Sequence, residues 1–129
     1  MRILIIDDDI SAATTLKALL MSQEAFEIDV VYAGREGLDK MIANPPYDLL
    51  ILDIMMPDFS GIEVCRAMSA NDKLKQIPVL LASALPITSK ELSDLMEEFK
   101  ALNVVQGVLE KPFVIEDLLA EIRRIVPQA

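Results

Sequence analysis

The sequence predicts a doubly wound α/β domain, a five-stranded parallel sheet between two layers of helices, and three observations predict it. Five short apolar runs recur along the 129 residues, helical patterns fill the spaces between them, and most runs are continuous in Val, Ile and Leu instead of alternating. Continuous apolar strands need cover on both faces, which a parallel sheet with helical crossovers supplies. Strand and helix then alternate five times, and right-handed crossovers build a three-layer sandwich.

The elements follow in order. The first strand is Ile3 to Ile6, and Leu16, Leu19 and Leu20 form the stripe of the helix after it. Ile28 to Tyr32 is the second strand; its helix carries Leu38, Met41 and Ile42 and stops at Asn44-Pro45-Pro46, because a residue before proline is pushed out of the helical region. Leu49 to Leu52 is the third strand, and Ser60 with Glu63 has capping-box spacing at the start of the third helix. Val79 to Ala82 is the fourth. Thr88 with Glu91 repeats the capping spacing, and Leu92, Leu95, Met96, Phe99 and Leu102 continue that helix with a 3.6-residue period. Gly107 to Leu109 is the fifth strand, and Val114, Leu118, Leu119, Ile122 and Ile125 make the last helix, ending near Pro127. Met41, Met68 and Met96 read as core filler, Met56 as packing beneath the strand ends, and Cys65, near Ile62 and Met68, as a small buried hydrophobe. No internal repeat, linker or low-complexity tract interrupts the pattern.

Composition excludes several function classes. With 12 basic and 21 acidic residues the chain carries a formal charge of -9, which repels phosphate backbones and anionic lipid and argues against direct nucleic-acid binding. No apolar run is long enough to cross a bilayer. The single cysteine cannot form an internal disulfide and no basic leader precedes the first strand, so a reducing cytoplasm is the expected location. Histidine is absent, which removes imidazole zinc sites, Ser-His-Asp hydrolysis and any phosphohistidine within the chain. Chemistry here uses carboxylates, hydroxyls and lysines.

Ligands of such sheets bind at the carboxyl ends of the strands. There stand Asp7, Asp8 and Asp9 after the first strand, Asp53 after the third, Ser83 at the end of the fourth and Lys111 after the fifth. Taken singly, each has an ordinary structural reading as a helix cap, a turn residue or a solvated charge. Taken together, carboxylates converging on one rim repel one another unless a cation sits among them, and an incomplete cage of hard oxygens suits Mg²⁺ shared with a phosphoryl group. A lysine and a hydroxyl opposite would complete a phosphoryl-binding site.

The pieces Ile5-Ile6-Asp7-Asp8, Leu52-Asp53-Ile54-Met55-Met56-Pro57 with Gly61, Ala82-Ser83-Ala84 and Glu110-Lys111-Pro112-Phe113, in this order at strand ends, resemble a response-regulator receiver domain of two-component signalling, of the CheY-like superfamily. The resemblance implies a flavodoxin-like (βα)5 fold with strand order 2-1-3-4-5, a receiver domain over residues 1–126 and a short stub at 127–129. It implies that Asp53 accepts a phosphoryl group from a sensor histidine kinase or phosphotransfer protein. Asp8, Asp53 and the backbone carbonyl of Met55 would hold Mg²⁺, with Asp7 acting through a bound water. Lys111 would pair with a phosphoryl oxygen, across a cis bond to Pro112, and Ser83 would swing toward the phosphoryl group. Val108 holds the position, three residues before Lys111, where the family commonly has a switching aromatic. The segment between Ser83 and Lys111 is longer than in a compact receiver, which predicts a longer fourth helix or loop between Leu85 and Gly107. Asp9 reads as the N-cap of the first helix. The implied output is a changed surface around the fourth helix, fifth strand and fifth helix, read by a protein partner or an attached output domain, with a phosphorylation-dependent homodimer among the outcomes. Met55 and Leu85, two residues beyond Asp53 and Ser83, cannot orient a water by hydrogen bonding, which predicts slow loss of the phosphoryl group.

Two other functions fit parts of the pattern. Asp7-Asp8-Asp9-Ile10-Ser11 resembles the nucleophile motif of haloacid-dehalogenase-type phosphatases, in which Asp7 would be phosphorylated and Asp9 would be the acid/base. That reading leaves Asp53 without a role and finds no acidic pair after Lys111. A receiver-like adaptor that signals without phosphorylation is the other, and such domains generally lose an acidic-pair residue, the phosphoacceptor or the lysine, all of which stand here.

Overall fold

The computed structural model describes residues 1–23, 26–43, 46–57, 59–86 and 88–127. Its strands are β1 (Arg2–Ile6), β2 (Glu27–Val31), β3 (Leu49–Asp53), β4 (Val79–Ser83) and β5 (Val105–Glu110), all parallel, in the order β2-β1-β3-β4-β5. Between and after them run α1 (Ile10–Gln23), α2 (Gly34–Ala43), α3 (Gly61–Ser69), α4 (Lys90–Leu102) and α5 (Ile115–Ile125), with a 3-10 turn at Leu74–Gln76. This is the doubly wound architecture that the alternating pattern predicts, with the flavodoxin-like strand order that the resemblance implies.

Side chains of successive strand residues point to opposite faces, so the strands divide into two cores. Leu4, Ile6, Leu50, Leu52, Val79 and Leu81 face the layer of α2, α3 and α4, where Val64, Met68, Leu92 and Phe99 meet them. Ile3, Ile5, Leu49, Ile51 and Leu80 face α1 and α5, against Ala13, Leu20, Leu118 and Ile122. The inner strands β3 and β4 are buried at every position, while the edge strands β2 and β5 are partly open. Met41, Met68 and Cys65 lie in the first core as expected, and Met96 packs against it.

Several boundaries differ from the sequence reading. Tyr32 falls beyond β2 and is exposed. β5 begins at Val105, two residues before the predicted start, with a register shift against β4 at Val79/Leu80; Gln106 and Gly107 interrupt the apolar run that marks a strand. The cap of α4 is Ser89, whose hydroxyl accepts from the Leu92 N–H at 3.2 Å, and not Thr88. A turn from the Ser89 N–H to the Pro86 carbonyl places Ser89 in the extended conformation a cap requires. At α3 the predicted box is present: the Glu63 carboxylate accepts from the Ser60 N–H and hydroxyl. Leu19 and Ile42 face solvent. The buried stripe of α2 is Gly34, Gly37, Leu38 and Met41, which rotates Ile42 outward. A Cβ on Gly37 would overlap the Ile6 side chain, so glycine there lets α2 sit close to the sheet. The predicted stop at Asn44-Pro45 lies outside the described residues, as do Gln128 and Ala129 of the 127–129 stub. The lengthened segment between Leu85 and Gly107 holds the 13 residues of α4.

Candidate functional site

Strand order reverses between β1 and β3, and the groups expected to carry chemistry stand at that reversal and beside it. Asp7 follows β1 directly, its N–H donating to the Val31 carbonyl at 3.2 Å, so the sheet fixes its backbone. Asp53 is the last residue of β3 and sits across the crevice. Both are buried, at 6% and 7% exposure, whereas Asp8 is exposed. One carboxylate oxygen from each of Asp7, Asp8 and Asp53 lies within 4.8 Å of the others. Lys111, just past β5, reaches back over the rim: its Nζ donates to Asp7 Oδ2 at 2.8 Å and to Asp53 Oδ1 at 3.5 Å. The bond from Lys111 to Pro112 is cis, as the resemblance implies.

The loop after β3 is held close. The Ile54 N–H donates to the Ala82 carbonyl and the Gly61 N–H to the Ile54 carbonyl. A Cβ at Gly61 would stand 3.0 Å from the Asp53 carbonyl oxygen and 3.1 Å from Ile54 Cα, so glycine is what lets α3 start against the end of β3. Met55 lies in this loop, two residues past Asp53 and exposed, while Met56 is buried.

Charge at the rim is not balanced. Burial pushes Asp53 up to about 6; the Lys111 ammonium pulls it down, and the Asp7 charge and an Asp8 hydrogen bond push it up again. Burial also disfavours the Lys111 ammonium, yet the Asp7 hydrogen bond and the charges of Asp53 and Asp7 outweigh it and raise its pKa above the ordinary value. Three carboxylates facing one ammonium form a hard-oxygen, net-negative donor set with an open, exposed side at Asp8, which fits a divalent cation of the Mg²⁺ type.

The remaining predicted residues fall as follows. Asp9 caps α1: its Oδ1 accepts from the Ala12 N–H at 3.0 Å, and its own N–H donates to Asp7 Oδ1 at 3.0 Å, which orients the buried carboxylate. With its carboxylate committed to the helix, Asp9 is poorly placed as an acid/base. Ser83, 1% exposed, turns its hydroxyl into its own loop, donating to the Leu85 carbonyl at 3.0 Å and accepting from the Leu85 N–H at 2.9 Å. Its carbonyl accepts from the Lys111 N–H at 2.6 Å, tying β4 to the lysine. Val108 is half-buried against the α4 side. Sequence reasoning missed two partners, Asp7 as the nearest partner of Lys111 and the Leu85 backbone as the partner of Ser83; the second is a main-chain contact that no side-chain pattern announces. A cleft of about 570 Å³ opens beside Asp7, Asp53 and Lys111, with Leu16 and Phe113 among its walls.

Comparison with known proteins gives one consistent result. The family model of the response regulator receiver domain matches residues 3–123. Response regulator ArlR of Staphylococcus saprophyticus is 34% identical over 126 residues, 97% of this chain and 52% of that protein, and ArlR of Staphylococcus aureus is 36% identical over the same length. The chain thus spans about half the length of these curated relatives. Among solved structures, the chemotaxis protein CheY4 of Vibrio cholerae superposes with a TM-score of 0.84 at 30% identity, over 97% of this chain and 98% of that one. A CheY-like receiver domain from Methylobacillus flagellatus gives 0.80 at 28% identity, with the same coverage.

Proposed function

The chain belongs to the response regulator receiver domain family, the phosphoacceptor domains of two-component signalling, and from that premise we propose that Asp53 is its phosphoacceptor. One observation carries the assignment: of the two buried rim carboxylates, Asp53 is the more loosely held, 3.5 Å from the Lys111 ammonium, whereas Asp7 accepts from Lys111 at 2.8 Å and from the Asp9 N–H at 3.0 Å. Membership in the receiver family, together with Asp9 serving as a cap, disfavours the phosphatase reading.

In the proposed reaction a carboxylate oxygen of Asp53 attacks phosphorus in line. The phosphorus–nitrogen bond of a phosphohistidine donor breaks, the electron pair leaves with the imidazole, and an aspartyl phosphate forms. Asp8, Asp53 and the Met55 carbonyl would hold Mg²⁺, with Asp7 acting through water; when bound, the ion neutralises charge on the transferring phosphoryl oxygens. The Lys111 ammonium, 3.5 Å from Asp53, needs only a small shift to pair with a phosphoryl oxygen. The phosphoryl adds close to two negative charges and three acceptors, which gives the Ser83 hydroxyl a partner able to compete with the Leu85 backbone. Val108 offers no ring to follow that movement. The exposed apolar side chains Ile10, Met55 and Val114 flank the rim and suit contact with a protein donor such as a kinase or phosphotransfer protein. The domain is taken to span residues 1–126, and its output to be a changed surface around α4, β5 and α5, read by a protein partner or an attached output domain.

The deciding experiment is intact mass after incubation with acetyl phosphate, with and without Mg²⁺. The expected result is a Mg²⁺-dependent gain of one phosphoryl that Asp53→Asn abolishes. No adduct in the native protein, even with phosphorylated kinase, would favour the adaptor; an adduct that survives Asp53→Asn and vanishes in Asp7→Asn would overturn the assignment. Dephosphorylation is tested separately: Met55→Asn with Leu85→Glu should speed decay roughly tenfold or more by supplying groups that orient water, and an unchanged rate would remove that role from these two positions.

A further inference from the structure

We propose that the cleft beside the rim binds an elongated amphipathic cation, an apolar chain or ring ending in one ammonium group, and that this ligand competes with a divalent cation for the same carboxylates. Binding stands on the cleft itself; only its consequence, a brake on phosphorylation, rests on the assignment of Asp53.

The cleft lies on the sheet face that α1 and α5 cover. Its floor is Ile5 and Ile51, both almost inaccessible. One wall is α1, through Ala12, Thr15, Leu16 and Leu19, whose spacing of three and four residues puts them on one side of the helix. Pro112 and Phe113 form the opposite wall. The small side chains of Ala12 and Thr15 leave the gap open, and its volume of about 570 Å³ is that of a pocket for a small organic molecule. From Ala12 to Leu19 the wall runs roughly 10 Å at the rise of an α-helix. Leu16 and Phe113 are half-buried and Leu19 is 42% exposed, so solvent still reaches apolar surface that a ligand would cover.

The two ends of the cleft differ in chemistry, and the difference selects the occupant. At the rim end Asp7, Asp9 and Asp53 face the single cation Lys111. That ammonium is already held, 2.8 Å from Asp7 and 3.5 Å from Asp53. A ligand carboxylate would have to draw Lys111 away from Asp7 while facing three carboxylates. A ligand ammonium meets acceptors instead: the loosely held Asp53, and Asp9, whose Oδ1 caps α1 and leaves Oδ2 for a ligand. The chain's charge of -9 favours the same sign of ligand. Beyond Ser11 the α1 wall carries no charge, so the far end suits only an apolar body.

Calorimetric titration of the native protein with n-alkylammonium ions from butyl to octyl, set beside octanoate, tests the proposal. Affinity should rise by up to about fourfold per methylene as the chain covers the wall. Octanoate should bind more weakly than octylammonium by roughly tenfold or more. Mg²⁺ should weaken octylammonium binding, and octylammonium should slow labelling by acetyl phosphate at low Mg²⁺. Thr15→Phe fills the gap from an exposed position and should lower octylammonium affinity roughly tenfold, with the circular dichroism of the native fold retained. Leu19→Ala, at the far end, should weaken octylammonium and leave butylammonium unchanged. A series without slope, octanoate binding as well as octylammonium, or undiminished binding by both variants overturns the site, and indifference to Mg²⁺ overturns the competition. The titration needs no phosphoryl transfer, so a failed Asp53 assignment would show in the labelling and a failed cleft in the titration.

Discussion

Burial raises the Asp53 pKa to about 6, against a value near 4 in an unfolded chain, so between those pH values the folded protein holds a proton that the unfolded chain releases. Stability contributed by this group is complete below about pH 4 and is lost as pH rises through about 6. Without metal at pH 7.5, therefore, ionised Asp53 is a burden on the fold, and Asp53→Asn should raise the free energy of unfolding by roughly 1–3 kcal/mol. Urea titrations in EDTA at pH 7.5 and near pH 4 test this. The gain should vanish at the lower pH, and a gain of equal size at both would show that shape and not charge separates the variants. Tyr47 makes a useful contrast at the far end of the sheet. Burial first, then the hydrogen bond to Asp29 at 2.6 Å, pushes its hydroxyl up to about 12, and the Arg2 guanidinium lies 4.6 Å over its ring. Tyr47→Phe should cost about 1–2 kcal/mol of stability while leaving phosphorylation by acetyl phosphate unchanged. A matching loss of phosphorylation would show that the two ends of β3 are coupled.

At the level of elements, strand interiors were legible in the sequence and their ends were not. The apolar centres of β1, β3 and β4 stand where continuous Val, Ile and Leu predict them, because a strand covered on both faces can carry nothing else. The start of β5 was not legible, since Gln106 and Gly107 break the apolar signature after Val105, where the strand also shifts register against β4. The stripe on α2 misplaced Ile42 because its closest approach to the sheet is made by Gly37, and a glycine that packs by lacking a side chain is invisible to a hydrophobicity pattern. The start of α4 is the sharpest case. Thr88 has the better sequence spacing to an acidic residue, but the turn closed by the Ser89 N–H on Pro86 gives the cap to Ser89. Ser89→Ala should consequently cost about 1 kcal/mol, and Thr88→Ala only a few tenths. Thermal unfolding of the two variants decides it, and equal losses would mean that the helix start is shared between the two hydroxyls.

Across the whole molecule, Asp7, Asp53 and Ser83 were visible as polar residues ending apolar runs, with Asp8 and Lys111 one residue further on, because a doubly wound sheet meets its ligands at the carboxyl ends of its strands. Their partners were not visible, because partnership crosses the sheet: Lys111 meets Asp7 from a separation of 104 residues. That contact bears on how the site would take a cation. Lys111 is an internal counter-ion, and the ammonium that balances Asp7 and Asp53 is the group whose charge opposes a second cation a few ångströms away. Two unlike outcomes follow for Lys111→Met. With the ammonium gone, Asp7, Asp8 and Asp53 face one another without compensation, and Mg²⁺ should bind more tightly, by roughly tenfold if the removed repulsion is near 1.4 kcal/mol at the effective dielectric of a protein surface. Phosphorylation should fall in the same variant, since no ammonium remains to pair with an incoming phosphoryl oxygen. Calorimetric titration with Mg²⁺, set beside acetyl phosphate labelling, separates the two effects. If Lys111→Met weakened both Mg²⁺ binding and phosphorylation, the lysine would be holding Asp7 in place for the metal, and its bond to Asp7 would be a support for the site instead of a competitor within it.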